Sequence, residues 1–450
     1  MKRILFSLLL LCCFSLCHAQ IPSGSWSGTM EVQGVSLRLV FNLSGESCTL
    51  DVPDQGAKGI PVEASQTSHG ALRIDIPAIN AFYEGYRFGE KIIGTFSQHG
   101  VSFPMTLTQG VPVRKRPQTP QLPFPYTAQE VSFANGDAVL RGTLVLPENN
   151  SRATPVCLLV TGSGQQDRDE TLFEHKPFAV IADYLARQGI ATLRYDDRGF
   201  GESTGDVIHM TTEDLKQDAA AGLAFLRERF DCVGVIGHSE GGTIAFMLAA
   251  EKKADFIVSL AGMVISGAQT LLAQNRHALQ AAGLDEATTE SYCKALSETF
   301  DAVKDGRSLP SPADFDLPTA LQQNLAAVQA QLGTPYLRYL VSLDLSGRLG
   351  DISCPVMALN GTRDTQVDCA ANLEALEKGL LHRESAAGAS IAAAPSPAAP
   401  ARVQILPVEG VNHLFQTCQT GEAAEYPQIE ETISPKVLVL IADWIASIAR

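Results

Sequence analysis

The amino-acid sequence predicts an all-β domain followed by an α/β domain built on a mainly parallel sheet. Three observations carry the prediction. Residues 21 to about 110 hold short alternating runs between Gly, Pro, Asn and Ser, such as Ser36-Leu37-Arg38-Leu39-Val40-Phe41 and Leu72-Arg73-Ile74-Asp75-Ile76. That two-residue period marks half-buried strands. Residues 111–126 contain five prolines and the basic run Arg114-Lys115-Arg116, the composition of a stiff, extended linker with a solvated basic face. From Thr127 onward, short continuous apolar runs alternate with stretches of helical period, as in parallel strands covered on both faces by crossover helices.

Taken in order, the chain opens with Lys2 and Arg3, an apolar run over 4–16, and Cys17-His18-Ala19 before Gln20. This is the layout of a cleaved export signal, too short to span a bilayer at about 20 residues per span. A signal peptide over 1–19 and an exported, periplasmic or extracellular protein are expected. Residues 20–110 then form a small antiparallel barrel or sandwich without an evident cluster for chemistry. The α/β domain follows over 127–450. Strands are predicted at 139–146, 156–160, 191–195, 233–236, 256–260, 356–359 and 403–406, and helices at 178–188, 214–230, 241–251 and 435–449. Between 265 and 346 the alternation lapses into Ala-, Leu-, Gln- and Glu-rich helical stretches, 268–302 and 320–343, which is what a cap over an active site looks like. Residues 385–401 are almost all Ala, Ser and Pro, a surface insertion.

Bulk chemistry narrows the function. Hydrophobic residues make up 45% and charged residues 18%, a globular rather than a disordered balance. A formal charge of -15 repels phosphate backbones, so no nucleic-acid partner is expected. No later segment is apolar enough for a membrane span. No HExxH, paired CxxC or acidic calcium loop occurs, so no metal and no cofactor is implied.

One motif points to nucleophilic catalysis. Gly237-His238-Ser239-Glu240-Gly241 fits G-x-S-x-G and lies between a predicted strand and a predicted helix, where the serine sits on a cramped turn that glycines two residues away allow. Ser239 is the candidate nucleophile. A serine hydroxyl needs a base, and His413 in Gly410-Val411-Asn412-His413 follows the last predicted strand. His238 adjoins Ser239 but would point away from its hydroxyl. The base needs a carboxylate to fix its tautomer. Asp364 directly follows strand 356–359, with Asp368 as the rival inside the next helix. Two backbone N–H groups should face the oxyanion, those of Glu240 and of Ser163 in Thr161-Gly162-Ser163-Gly164. That Gly-rich loop lacks the Lys-Ser/Thr ending of a nucleotide-binding loop. The charges of 194–203 should pair to brace the loop beside the site. Cys369 and Cys418 each lie five residues past Asp364 and His413. If acid and base touch, these cysteines share neighbouring loops, either bridged or as two free thiols.

The order Ser, Asp, His is that of the α/β-hydrolase fold, here with a helical cap. Thr161 to Gly164 with Asp167-Arg168-Asp169, the run 195–203, Gly237 to Gly242, Gly361 to Asp364 and Asn412-His413-Leu414-Phe415 together resemble secreted bacterial α/β-hydrolases of the carboxylesterase kind, some with a β domain in front. The fold also resembles that of serine aminopeptidases and prolyl-oligopeptidase-type enzymes. The resemblance implies hydrolysis of carboxylic esters through an acyl-enzyme. The alternative is a serine peptidase or aminopeptidase acting on short peptides, and a third possibility is a non-catalytic binding protein. The expected partner is a small-molecule ester or a short peptide.

Overall fold

The computed structural model describes residues 21–449 apart from 33–34, 45–46, 56, 99, 112–113 and 387–401. The export signal read at 1–19 and residues 387–401 of the Ala/Ser/Pro insertion therefore lie outside the described residues. The chain divides into two compact units, residues 1–53 with 57–113 and residues 54–56 with 114–450.

The first unit is a barrel rather than a sandwich. Its strands are β1 (Gly24–Val32), β2 (Val35–Leu43), β3 (Cys48–Val52), β4 (Ala57–Gln66), β5 (Leu72–Ile76), β6 (Ala81–Phe88), β7 (Lys91–Gln98) and β8 (Val101–Gln109). They pair antiparallel in chain order, and β1 meets β8 to close the sheet. Closure leaves no unpaired edge. Alternation fills the interior: in β5, Leu72, Ile74 and Ile76 are buried, while Arg73 and Asp75 pair outside at 2.8 Å. Trp26, Phe41, Leu50, Tyr83, Ile92, Phe96 and Leu107 complete the core.

The second unit is an α/β-hydrolase fold. Its eight-stranded sheet comprises β9 (Tyr126–Asn135), β10 (Ala138–Pro147), β11 (Val156–Val160), β12 (Ala191–Tyr195), β13 (Val233–His238), β14 (Ile257–Leu260), β15 (Val356–Gly361) and β16 (Val403–Val408). Their spatial order is β16-β15-β14-β13-β11-β12-β10-β9. The β9–β10 hairpin is antiparallel and β10 runs antiparallel to β12; β11 to β16 are parallel.

Period-two burial on both faces explains the continuous apolar runs. In β11, Val156, Leu158 and Val160 join one core and Cys157 and Leu159 the other. The first core is covered by α2 (Thr212–Arg227), α3 (Glu240–Ala250) and α8 (Cys369–Ala386), through residues such as Leu223, Ile244 and Leu376. The second is covered by α1 (Pro177–Arg187) and α9 (Pro435–Ile448), through Phe178, Ile181, Ile441 and Trp444. Each such fully buried side chain contributes about 1.5–3 kcal/mol. The route of the chain then locates the site. Helix α1 leads from β11 to its neighbour β12, and α2 returns across β11 to β13. The carboxyl ends of β11 and β13 thus flank the point where the order reverses, the place where open α/β sheets bind ligands.

The cap consists of α4 (Gly267–Ala281), α5 (Glu286–Lys304), α6 (Thr319–Gln331) and α7 (Pro335–Ser342). The two long helical stretches expected from sequence are each broken. Gly283 at φ 79° and the N-cap Asp285 separate α4 from α5. Gly333 and Thr334, whose hydroxyl accepts from Leu337 N–H, precede Pro335 at the start of α7. Residues 114–124 also differ from a solvated spacer. The Arg116 guanidinium donates to the carbonyls of Phe173, Pro427 and Ile429, and Gln118 bonds the backbone of Thr432 and Ile433. This stretch is docked on the α/β unit.

Candidate active site

Ser239 stands between β13 and α3 at φ 53°, ψ -119°, a region that a side-chain-bearing residue occupies only under strain. Its surroundings hold it there. Ser239 N–H donates to Leu260 O at 2.8 Å and its carbonyl accepts from Thr243 N–H at 3.1 Å. The glycines are steric necessities. A Cβ on Gly237 would lie 2.0 Å from Gly241 O, and one on Gly241 would lie 2.0 Å from Val160 O. Both obstacles are backbone, so neither can yield cheaply. Gly241→Ala is expected to destabilise the chain by about 3 kcal/mol or to prevent folding, as urea denaturation would show.

Asp364 and His413 meet at the carboxyl edge of the sheet. Asp364 follows β15, and its Oδ2 accepts from His413 Nδ1 at 2.8 Å. Oδ2 also accepts from Asn360 Nδ2 at 3.0 Å, while Oδ1 accepts the N–H groups of Gln366 and Val367 at 2.8 and 2.9 Å. Burial alone would raise the Asp364 carboxyl. The His413 charge and hydrogen bond, with these two amides, more than reverse that and hold it below the usual range. The bond engages Nδ1 and fixes the ring orientation about it. His413 lies past β16, in a turn where Phe415 takes φ 61° and Gln416 N–H closes on Asn412 Oδ1 at 2.9 Å. The rival Asp368 does other work: its Oδ1 accepts from Ala371 N–H at 2.7 Å, capping α8.

The loop after β11 passes close to Ser239. A Cβ on Gly162 would sit 3.2 Å from Ser239 Cβ, which brings Ser163, the next residue, beside the serine. Glu240 opens α3, so its N–H is one of the helix donors without an intrahelical acceptor. Its carboxylate is buried and points elsewhere, accepting from Thr212 Oγ1 at 2.6 Å and from Tyr336 OH at 2.5 Å. Tyr336 belongs to α7, so the cap is bonded to the residue that follows Ser239. Burial, then the Glu240 charge, pushes the Tyr336 hydroxyl well above its ordinary value. Tyr336 was not legible in the sequence, where a tyrosine in a helical cap carries no signal.

The charged run after β12 braces these loops. Arg168 forks onto Asp196 through Nε at 3.1 Å and Nη2 at 2.7 Å. Arg198 forks onto Asp218 at 2.7 Å through both Nε and Nη2. Asp197, wholly buried, accepts from Thr161 Oγ1 at 2.9 Å and Gln166 N–H at 2.9 Å; burial raises its carboxyl well above the ordinary range. Behind the His413 turn, His175 bonds Thr432 Oγ1 at 2.9 Å and Gln416 Nε2 at 2.9 Å. Burial, then the Arg116 charge, lowers its imidazole to about 4.

Cys369 and Cys418 are not bridged. Their thiols turn to different carbonyls, Cys369 Sγ to Asn360 O at 3.6 Å and Cys418 Sγ to Gly410 O at 3.7 Å. A disulfide needs its two Cβ atoms within about 4.5 Å and suitably aimed, a demand that sequence spacing does not encode. Alkylation of the denatured chain without reductant is expected to label both residues, read by mass spectrometry.

Part of the chain is similar in sequence to known proteins. Residues 174–384 match the family of serine aminopeptidases, S33. Over 192 residues the chain is 32% identical to esterase EstD of Thermotoga maritima, covering 41% of this chain and 45% of that protein. Over 140 residues it is 26% identical to an acyl transferase of Photorhabdus luminescens, covering 31% of this chain and 43% of that protein. The chain thus spans less than half the length of either relative. Among solved structures, an esterase of Pyrococcus furiosus aligns with 75% of this chain and 98% of its own at 15% identity, with a TM-score of 0.43. The chain is therefore a two-unit protein, an all-β barrel and an α/β-hydrolase domain whose residues 174–384 match the serine aminopeptidase family.

Proposed function

We propose that the α/β unit hydrolyses carboxylic esters through an acyl-enzyme, with Ser239 as nucleophile, His413 as base and Asp364 as its orienting acid. The observation that carries this is the 2.8 Å bond from His413 to the shielded carboxylate of Asp364, at the sheet edge where β13 ends in the strained Ser239. Ser239 Oγ attacks the ester carbonyl carbon as its proton passes to His413 Nε2. The Nδ1–H to Asp364 stabilises the imidazolium so formed. The tetrahedral oxyanion is held by the N–H groups of Ser163 and Glu240. On collapse the C–O bond to the alcohol breaks and His413 returns the proton to the leaving oxygen. Water then repeats the sequence, releasing the carboxylic acid and restoring Ser239.

Similarity to an esterase and an acyl transferase supports an acyl group as the transferred unit. The serine aminopeptidase match favours a second reading, cleavage of short peptides by the same residues. The two separate on a panel of p-nitrophenyl acyl esters of graded chain length and aminoacyl p-nitroanilides. Ester turnover with little anilide cleavage is expected, and the reverse would overturn the assignment. Export belongs to the proposal as well, supported by Lys2, Arg3 and the apolar run that follows.

A further inference from the structure

One buried pair beside the site is not used by the steps above. Glu170 lies on the loop after β11 with its backbone in the left-handed region, φ 54°. A local scaffold sets that conformation. Glu170 N–H donates to Asp167 O at 2.9 Å, and the Asp167 carboxylate takes Thr171 N–H at 2.8 Å and Thr171 Oγ1 at 2.7 Å. The fork of Arg168 on Asp196 fixes the same loop. The result is a carboxylate aimed inward, in a residue only 3% exposed. Its Oε1 accepts Gly162 N–H at 2.7 Å and faces His238 Nδ1 at 2.9 Å. The other nitrogen, His238 Nε2, lies 2.9 Å from the carbonyl oxygen of His413. A carbonyl only accepts, so Nε2 carries a proton. The His238 and His413 rings lie against each other, centroids 4.8 Å apart.

Three separate stretches therefore meet on one pair: the loop holding Gly162 and Ser163, the residue before the nucleophile, and the main chain of the base. Glu170 Oε2 is buried and has no hydrogen-bond partner, so Oε1 makes all of the carboxylate's hydrogen bonds. Burial disfavours a charged His238, but the Glu170 charge and hydrogen bond and the His413 carbonyl outweigh it and raise the imidazole above its ordinary value.

We propose that Glu170 and His238 form a positioning pair that sets the oxyanion loop and the His413 main chain against Ser239, acting on the transition state and not on substrate binding. The proposal rests on the assignment of Ser239 and His413 above. A shift of about 1 Å in a reacting group costs on the order of 100-fold. Accordingly Glu170→Gln, which keeps the shape and removes the charge, and His238→Gln should each lower kcat by about 10- to 100-fold with KM changed less than about 3-fold.

The test uses the full chain. Active sites are first counted by burst titration with a fluorophosphonate, and kcat is expressed per titrated site, which removes any misfolded fraction. If the two residues act as one unit, the double variant loses no more than about 3-fold beyond the worse single. Wild-type kcat per site in either variant would overturn the proposal. So would losses that multiply in the double variant, a loss confined to KM, or failure of both variants to fold, which would make the pair a folding element. The underlying assignment fails differently, by absence of labelling at Ser239 in the wild-type chain.

Discussion

Ser239→Ala is expected to lower kcat for ester hydrolysis by about six orders of magnitude, since a nucleophile and base that act as a unit fail together. The expectation of a clean loss comes from the elbow itself. Alanine keeps the Cβ of serine, so the contacts beside Gly162 and the backbone bonds to Leu260 and Thr243 survive. Only the hydroxyl goes. Thermal unfolding should therefore coincide with wild type while turnover at saturating ester collapses. A residual rate above the uncatalysed one, about 10³-fold or more, would reflect the amides of Ser163 and Glu240. Activity within about 10-fold of wild type would require a different nucleophile.

Asp364→Asn should cost about four orders of magnitude in kcat with KM little changed. The geometry dictates which way the new amide points. The backbone N–H groups of Gln366 and Val367 both donate to Oδ1, so the amide oxygen must stay there. The NH₂ then faces His413 Nδ1 and Asn360 Nδ2. Nδ1 becomes the acceptor, the ring proton moves to Nε2, and the base can no longer take the proton of Ser239. Asp368→Asn offers the contrast. It alters only the cap of α8, a change of about 1 kcal/mol or less in stability, and turnover should stay within a few-fold.

What the sequence disclosed follows from where the signal lies. β11, β13 and β15 were legible because burial on both faces makes them continuous apolar runs. β9 was not, because most of its residues face solvent at the sheet edge and no apolar run marks it. The cap helices were read as two long stretches because alanine-rich composition has no phase, and single-residue breaks and caps at Gly283, Asp285, Gly333 and Thr334 divide them. Asp364 and His413 were read from strand-end placement, and the fold brings these two within 2.8 Å; Ser239 was read from its strand-turn-helix motif. The Glu170–His238 pair has no such rule behind it. Its contacts join the end of β13 to segments 68 and 175 residues away in sequence, and only the folded chain reveals that the His238 imidazole points at them. The cysteine spacing pointed to two neighbouring loops, whereas Cys369 opens helix α8, and spacing holds no information on side-chain direction.

The most direct measurement is reaction of the full chain with a fluorophosphonate, followed by peptide mapping. The proposed arrangement predicts a single phosphonyl group on Ser239, no label in Ser239→Ala, and labelling slowed by at least about 10³-fold in His413→Gln, where the proton acceptor is gone. A wild-type chain that hydrolyses esters while remaining unlabelled at Ser239, or a His413→Gln chain that labels at the wild-type rate, would contradict it.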